Sequence, residues 1–197
     1  NISVHDPSSI TRCSDEYWMF STGGLIKSWR SKDLEVWREG PRVFSKMPEW
    51  VTAIVPDQRG HFWAPDVIQL DDRYLLYYSV SSFGKNTSAI ALASNAALDP
   101  EDDNYRWNDH GVVIQTSQKD NFNAIDPAVI KTSSGELWMA FGSYWSGIKL
   151  IRLDEETGLR SSDDTHVHAL AWNEDIEAAR LFEHNGWYYL LLNWGKC

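Results

Sequence analysis

Short runs in which apolar side chains alternate with small or polar ones recur along the chain and predict β-strands. Four of these runs are rich in aromatic and β-branched residues, and a turn-forming pair or triplet precedes each one. They are Tyr17–Ser21, Tyr74–Ser79, Glu136–Phe141 and Gly186–Leu192. Convincing helical patterns with capping residues are missing. The chain is therefore predicted to be all-β.

The runs belong to an internal repeat. The carboxyl groups of Asp6, Asp66 and Asp126 are spaced by sixty residues each, and Glu177 follows after fifty-one. A fixed period of this size, made of several short strands, is typical of a β-propeller. We predict one propeller domain over residues 1–197, with blades starting near residues 5, 64, 125 and 175. Because equivalent positions of successive blades converge on the central channel, the four acids are expected to share one phase and to face one point.

Converging carboxyl groups suit glycoside hydrolysis, which needs one protonated acid and one carboxylate that activates water or attacks the sugar. Neighbouring carboxylates also shift one another's pKa, so that one of them stays protonated near neutral pH. Metal binding is the rival use of such a cluster. No EF-hand or HExxH-type spacing is present, so a metal would rest on convergence alone. An ordinary turn is the alternative for any single Asp-Pro pair.

Composition narrows the class of partner. The 11 Trp, 8 Tyr and 7 Phe residues are consistent with rings that stack on sugars, although aromatic residues are also good strand formers. The net charge of −10 argues against nucleic acid and anionic membranes as partners. No stretch of eighteen apolar residues predicts a membrane span. Cys13 and Cys197 form neither a disulfide framework nor a zinc motif.

Several longer motifs resemble the family 43 glycoside hydrolases, and within them the endo-1,5-α-L-arabinanases. The matching segments are Val4–Ser8, His61–Asp66, Tyr77–Gly84, Asp120–Pro127, Phe141–Lys149, Ile176–Ala178 and Leu192–Cys197. The resemblance covers the chain from end to end. It implies a five-bladed propeller, of which about three blades and the start of a fourth are present. It also implies cleavage of α-1,5-linked L-arabinan, a plant cell-wall polysaccharide, or of its oligosaccharides.

The resemblance further implies an inverting mechanism. Asp6 would be the general base, Glu177 the general acid, and Asp126 the residue that raises the pKa of the acid and orients it. Trp63 and Phe83 would stack on sugar rings. Four further residues are candidate substrate contacts, namely His5, Asn123, Ser143 and Trp145. Each has an ordinary structural alternative in the core, in a turn or between blades. Asp66 is interpreted as a structural or subsite acid.

Two features depart from the family pattern. Ala179 and Arg180 replace the usual proline and apolar residue after Glu177-Ala178, and a cation close to Glu177 would weaken it as a proton donor. The chain also stops before the family's fifth blade, where relatives carry a histidine that helps to hold a central calcium ion. The chemistry itself is expected to need no cofactor, and no metal-binding residue is assigned.

Two expectations and one alternative function complete the interpretation of the sequence. We expect a secreted protein whose signal peptide is not in the chain. We expect a chain that is a natural short form to self-associate and thereby cover the open propeller edge. The alternative function, favoured by the altered residues and the missing blade, is a catalytically weak or silent propeller that binds carbohydrate or assembles with itself.

Overall fold

The computed structural model describes residues 2–195, so Asn1, Lys196 and Cys197, and with them the end of the last matching motif, lie outside the described residues. The regular secondary structure of the described part is almost entirely β. Its strands are β1 Thr11–Cys13, β2 Glu16–Ser21, β3 Gly23–Gly24, β4 Lys27–Ser31, β5 Arg38–Glu39, β6 His61–Leu70, β7 Arg73–Val80, β8 Ser88–Asn95, β9 Asn108–Thr116, β10 Ala128–Lys131, β11 Leu137–Phe141, β12 Ile148–Leu153, β13 His168–Ala171, β14 Ile176–His184 and β15 Trp187–Trp194. The helix α1, Val51–Ile54, is a single turn.

The strands form four antiparallel sheets, which we call blades one to four. Blade one has the order β1-β2-β4-β5, blade two β3-β6-β7-β8-β9, blade three β10-β11-β12-β13, and blade four is the hairpin β14-β15. The aromatic runs supply β2, β7, β11 and β15, which pair with β1, β6, β10 and β14, respectively. The strands β1, β6, β10 and β14 begin at Thr11, His61, Ala128 and Ile176, against predicted blade starts near 5, 64, 125 and 175. The predicted all-β class is confirmed.

The first strands of the blades lie next to one another. Strand β6 contacts β1 and β10, and β10 contacts β14, so these four strands form the inner wall of the fold. Strand β3 leaves blade one to pair with β6, Gly23 opposite Phe62 and Gly24 opposite His61. This crossover joins the first two blades through the main chain. The inner strands are where functional side chains from different blades can meet.

Apolar side chains fill the spaces between neighbouring blades. Trp18 and Phe20 of blade one pack with Tyr78 of blade two in one buried cluster. A second cluster joins Leu75 of blade two to Phe141 of blade three, and a smaller one joins blades three and four. Cys13 is buried as a free thiol. No helix within residues 2–195 is long and apolar enough to cross a membrane.

Candidate active site

One cleft of about 1560 Å³ opens at the ends of the inner strands. It contains every residue that the sequence singled out for catalysis or substrate binding. These are His5, Asp6, Trp63, Phe83, Asn123, Asp126, Ser143, Trp145 and Glu177. They come from all four blades, so the cleft exists only where the blades meet.

Asp6 precedes a proline and has a left-handed backbone conformation, with φ of 48°. Thr22 Oγ1 donates a hydrogen bond to Asp6 Oδ2 at 2.6 Å, and the Ala64 amide donates to the same Thr22 oxygen at 2.8 Å. His5 Nε2 lies 3.4 Å from Asp6 Oδ2 and its ring is mostly exposed. Thr22 therefore fixes the carboxyl group of Asp6 against blade two, while His5 stays accessible to a ligand.

Asp126 repeats this local geometry in blade three. It also precedes a proline and has a positive φ, 58°. Its amide donates to Ser79 Oγ at 2.9 Å, and the Ala178 amide donates to Asp126 Oδ2 at 3.3 Å. Burial, together with the negative charges of Asp6 and Glu177, raises the pKa of Asp126 to about 7. The three acids are thus close enough to interact electrostatically.

Glu177 lies near the start of β14, where its side chain is half-buried. Ser143 Oγ donates to Glu177 Oε2 at 3.0 Å, and the Tyr144 amide donates to the Ile176 carbonyl at 2.8 Å. The loop between β11 and β12 therefore holds both the main chain and the carboxyl group of Glu177. Ser143, predicted as a substrate contact, is bonded to the candidate acid.

The prediction that four acids share one phase of the repeat is wrong in detail. One bulge lies between Trp63 and Asp66 in β6, and another lies between Glu177 and Arg180 in β14. When the two bulges are aligned, Trp63 occupies the same position of the repeat as Glu177, and Asp66 the same position as Arg180. Asp6 and Asp126 correspond instead to Ala64 and Ala178, which share their positive φ. The acids converge from two neighbouring positions of the repeat because a carboxyl group can reach the cleft from either one.

Asp66 and Arg180 have paired with each other. Arg180 Nη1 lies 3.3 Å from both oxygens of Asp66 and also bonds to Ser9 Oγ. The guanidinium group is therefore committed to Asp66 and not to Glu177. The positive charge of Arg180, which lies close to Glu177 in the sequence, is thus paired with the carboxylate of Asp66.

The aromatic candidates differ in exposure. Trp63 is half-buried within β6, Trp145 is 42% exposed, and Phe83 is 96% exposed on the loop after β7. Trp172 Nε1 donates to the Trp145 carbonyl at 3.0 Å, which fixes the backbone of that residue. Asn123 is buried, and its Oδ1 accepts a hydrogen bond from Ser88 Oγ at 2.7 Å. Phe83 has little structural reason to be aromatic, because it packs against almost nothing.

Sequence reasoning missed Thr22 and Ser79, which hold Asp6 and Asp126. Thr22 lies opposite His5, which precedes Asp6, as the hydrogen bond from the Thr22 amide to the His5 carbonyl indicates. Ser79 lies opposite Trp63, which precedes Ala64, the residue of blade two with the corresponding positive φ. The available signal was a polar residue at or directly after the end of the first two aromatic runs, Thr22 after Ser21 and Ser79 itself. Its meaning depends on cross-strand register, which the sequence does not specify.

A central calcium ion of the kind that the family resemblance implies would need several oxygen ligands near the inner strands. Within residues 2–195 no three His, Cys, Asp or Glu side chains are grouped so that they could hold a metal ion. Asp66, the buried acid of the inner strands, is already satisfied by Arg180 and by amide donors. These residues do not by themselves fit a calcium site.

Comparison with known proteins decides the family. The model of the glycosyl hydrolases family 43 matches residues 1–197. The chain belongs to this family. It is 41% identical to an extracellular exo-α-(1→5)-L-arabinofuranosidase of Cellvibrio japonicus, matching 100% of this chain and 60% of the relative. It is 37% identical to an extracellular endo-α-(1→5)-L-arabinanase of Bacillus subtilis, matching 100% and 61%.

Solved structures agree with this assignment. An α-L-arabinanase of Cellvibrio cellulosa superposes with a TM-score of 0.94 at 40% identity, covering 100% of this chain and 66% of that one. The same enzyme in complex with arabinohexaose superposes with a TM-score of 0.93. The predicted fold, part of a five-bladed propeller, is confirmed. The chain spans about 60% of the length of the curated relatives that it matches.

Proposed function

We propose that the cleft is the active site of a glycoside hydrolase that cleaves α-1,5-linked L-arabinan. The observation that carries the proposal is the convergence of Asp6, Asp126 and Glu177 on one cleft, each held by a hydrogen bond from another segment of the chain. Relatives named for hydrolysis of this linkage support the choice of substrate. The open cleft, bordered by exposed aromatic rings, suits a neutral polymer.

In the proposed mechanism Asp6 is the general base. Its Oδ2 accepts from Thr22, which leaves Oδ1 free to take a proton from the attacking water. Glu177 protonates the leaving sugar oxygen, with Ser143 fixing the orientation of its carboxyl group. Inversion requires the two carboxyl groups to stand about 6.5 to 9.5 Å apart, so that water fits between one of them and the sugar.

Asp126 acts between these two residues. With a pKa of about 7 it exchanges its proton near neutral pH, and its Oδ2 binds the amide of the residue that follows Glu177. We assign it the roles of positioning the Glu177 segment and of adjusting the charge of the site. Neither role needs Asp126 to touch the scissile bond.

Release of reducing sugar from linear 1,5-arabinan tests the proposal. We expect turnover by the wild-type chain and a loss of about 10²- to 10⁴-fold in Asp6→Asn and in Glu177→Gln. Glu101→Gln is the matched control, because Glu101 is exposed on the loop between β8 and β9, outside the cleft. Absence of turnover by the folded wild-type chain would contradict the proposal and leave carbohydrate binding or self-assembly as its function.

Two further proposals concern the setting of the protein. We propose secretion, because the curated relatives are named as extracellular enzymes. We also propose self-association of the chain through blade four, where Trp187, Tyr188, Leu191 and Trp194 are exposed. Sedimentation velocity over a range of concentrations tests the second proposal, and a monomer at all of them would contradict it.

A further inference from the structure

Asp66 is a buried carboxylate that the proposed chemistry does not use. Its side chain is 4% exposed. Burying a charged group is unfavourable unless it is paired and hydrogen-bonded, so its partners indicate why an acid is found there. All of them come from blades other than its own.

The partners of Asp66 follow the three acids at a constant distance along the chain. The Ser9 amide donates to Asp66 Oδ1 at 3.0 Å, and the Ser9 hydroxyl donates to the same atom. The Val129 amide donates to Oδ2 at 2.9 Å, and Arg180 Nη1 reaches both oxygens at 3.3 Å. Ser9, Val129 and Arg180 each lie three residues after Asp6, Asp126 and Glu177, respectively.

We propose that Asp66 is a positioning residue whose carboxylate ties together the three strand segments that carry Asp6, Asp126 and Glu177, and thereby sets the distances between these acids. Three residues of extended chain span at most about 10 Å, so a shift at Asp66 is felt at the carboxyl groups. Charge-assisted hydrogen bonds to a buried carboxylate are among the stronger ones available. Arg180 supplies the compensating charge and the only side-chain link from blade four to this carboxylate among the described residues.

The inference rests on the proposed function for what the three acids do, but it makes a separate claim about their geometry. In Asp66→Asn the side chain keeps its shape, one oxygen becomes an amide that cannot accept a hydrogen bond, and Arg180 loses its counter-charge. One of the three segments is then released. Because misplacement by about 1 Å can cost about 10²-fold, we expect kcat on 1,5-arabinan to fall by about 10- to 100-fold. KM should change by less than about twofold, since Asp66 has almost no surface with which to contact substrate.

A second readout is independent of arabinan. The pKa of Asp126 is followed by carboxyl-carbon NMR in the wild-type chain and in Asp66→Asn, with the Asp126→Asn spectrum assigning the resonance. Greater separation of the acids weakens their mutual repulsion and admits water, so the pKa of Asp126 should fall by about one pH unit or more. Asp72→Asn is the matched control, because Asp72 is exposed in the turn that follows β6 and should change neither readout.

The outcomes separate cleanly. A folded Asp66→Asn chain with wild-type kcat and an unchanged Asp126 pKa would overturn the proposal, as would a rise in KM at constant kcat, which indicates a substrate contact. If the wild-type chain does not cleave arabinan, the proposed function fails and the Asp126 titration alone decides on Asp66. If Asp66→Asn does not fold, Ser9→Ala, which removes only a hydroxyl group, takes its place in both measurements, with a smaller change of the same sign expected.

Discussion

The raised pKa of Asp126 predicts an unusual dependence of stability on pH. A carboxyl group whose pKa is raised by folding keeps its proton in the folded state at a pH where the unfolded chain has released it. The free energy of unfolding then falls as the pH rises from the ordinary value of 3.8 to about 7, and is constant above that. This difference in pKa corresponds to about 4 kcal/mol. Asp126→Asn cannot ionise and should lose this dependence.

The assay is urea unfolding of the wild-type chain and of Asp126→Asn between pH 4 and pH 8, followed by the fluorescence of the 11 tryptophans. Between these limits the unfolding free energy of the variant, relative to that of the wild type, should rise by about 3 to 4 kcal/mol. A relative stability that stays constant within about 1 kcal/mol would refute the reasoning, since it would mean that Asp126 is ionised in the folded protein throughout.

Asp33 provides a control of opposite sign. Amide donors of Val36 and Glu35 lower the pKa of this exposed carboxyl group. A lowered pKa stabilises the folded state above the ordinary value, and this stabilisation is lost only as the pH falls below it. The relative stability of Asp33→Asn should therefore be constant between pH 4 and pH 8, where that of Asp126→Asn changes.

Three further substitutions test separate parts of the structure. Gly147→Ala should lower the free energy of unfolding by more than about 2 kcal/mol in urea titrations, because φ is 78° and the new Cβ would lie 2.2 Å from the Ala171 carbonyl oxygen. Phe83→Ala should leave the thermal midpoint unchanged but raise KM for arabinan about fivefold, as loss of a stacking ring implies; an unchanged KM would assign Phe83 no part in binding. Tyr77→Phe removes the hydrogen bond to the Gly158 carbonyl at 2.7 Å and should cost about 1 kcal/mol by calorimetry, with no change in KM.

The sequence predicted the fold well because the repeat was visible in it. The aromatic run Tyr74–Ser79 marks β7, since a strand buried on both faces needs apolar side chains throughout. The same pattern placed Asp6 and Asp126 on one surface. It did so correctly because both acids occupy the same position of the repeat, where the backbone is left-handed. A residue before a proline ordinarily favours extended backbone, so the fold and not the local sequence imposes this conformation.

What the sequence could not supply is the register between strands. The spacing of sixty made Asp66 look equivalent to Asp6 and Asp126, whereas a bulge in β6 displaces it by two positions and turns it into the interior. The partner of Arg180 was hidden for the same reason, because the two residues are 114 positions apart and meet only through tertiary packing. The sequence thus showed the positive charge of Arg180 close to Glu177, but it did not show that Asp66 is the ion-pair partner of Arg180.

The uneven packing between blades has a consequence for how the molecule fails on heating. Blades one and two share main-chain hydrogen bonds and a large core, whereas the β14–β15 hairpin packs against blade three through the small cluster around Ile148, Ile176 and Ala179. Weakly packed elements open locally at a lower free energy than well-packed ones. The amides of this hairpin should therefore exchange with deuterium before those of β6 to β8. Glu177 belongs to the hairpin. The proposed activity should therefore be lost before the protein melts, because Glu177, its proposed general acid, leaves a propeller wall that is otherwise still folded.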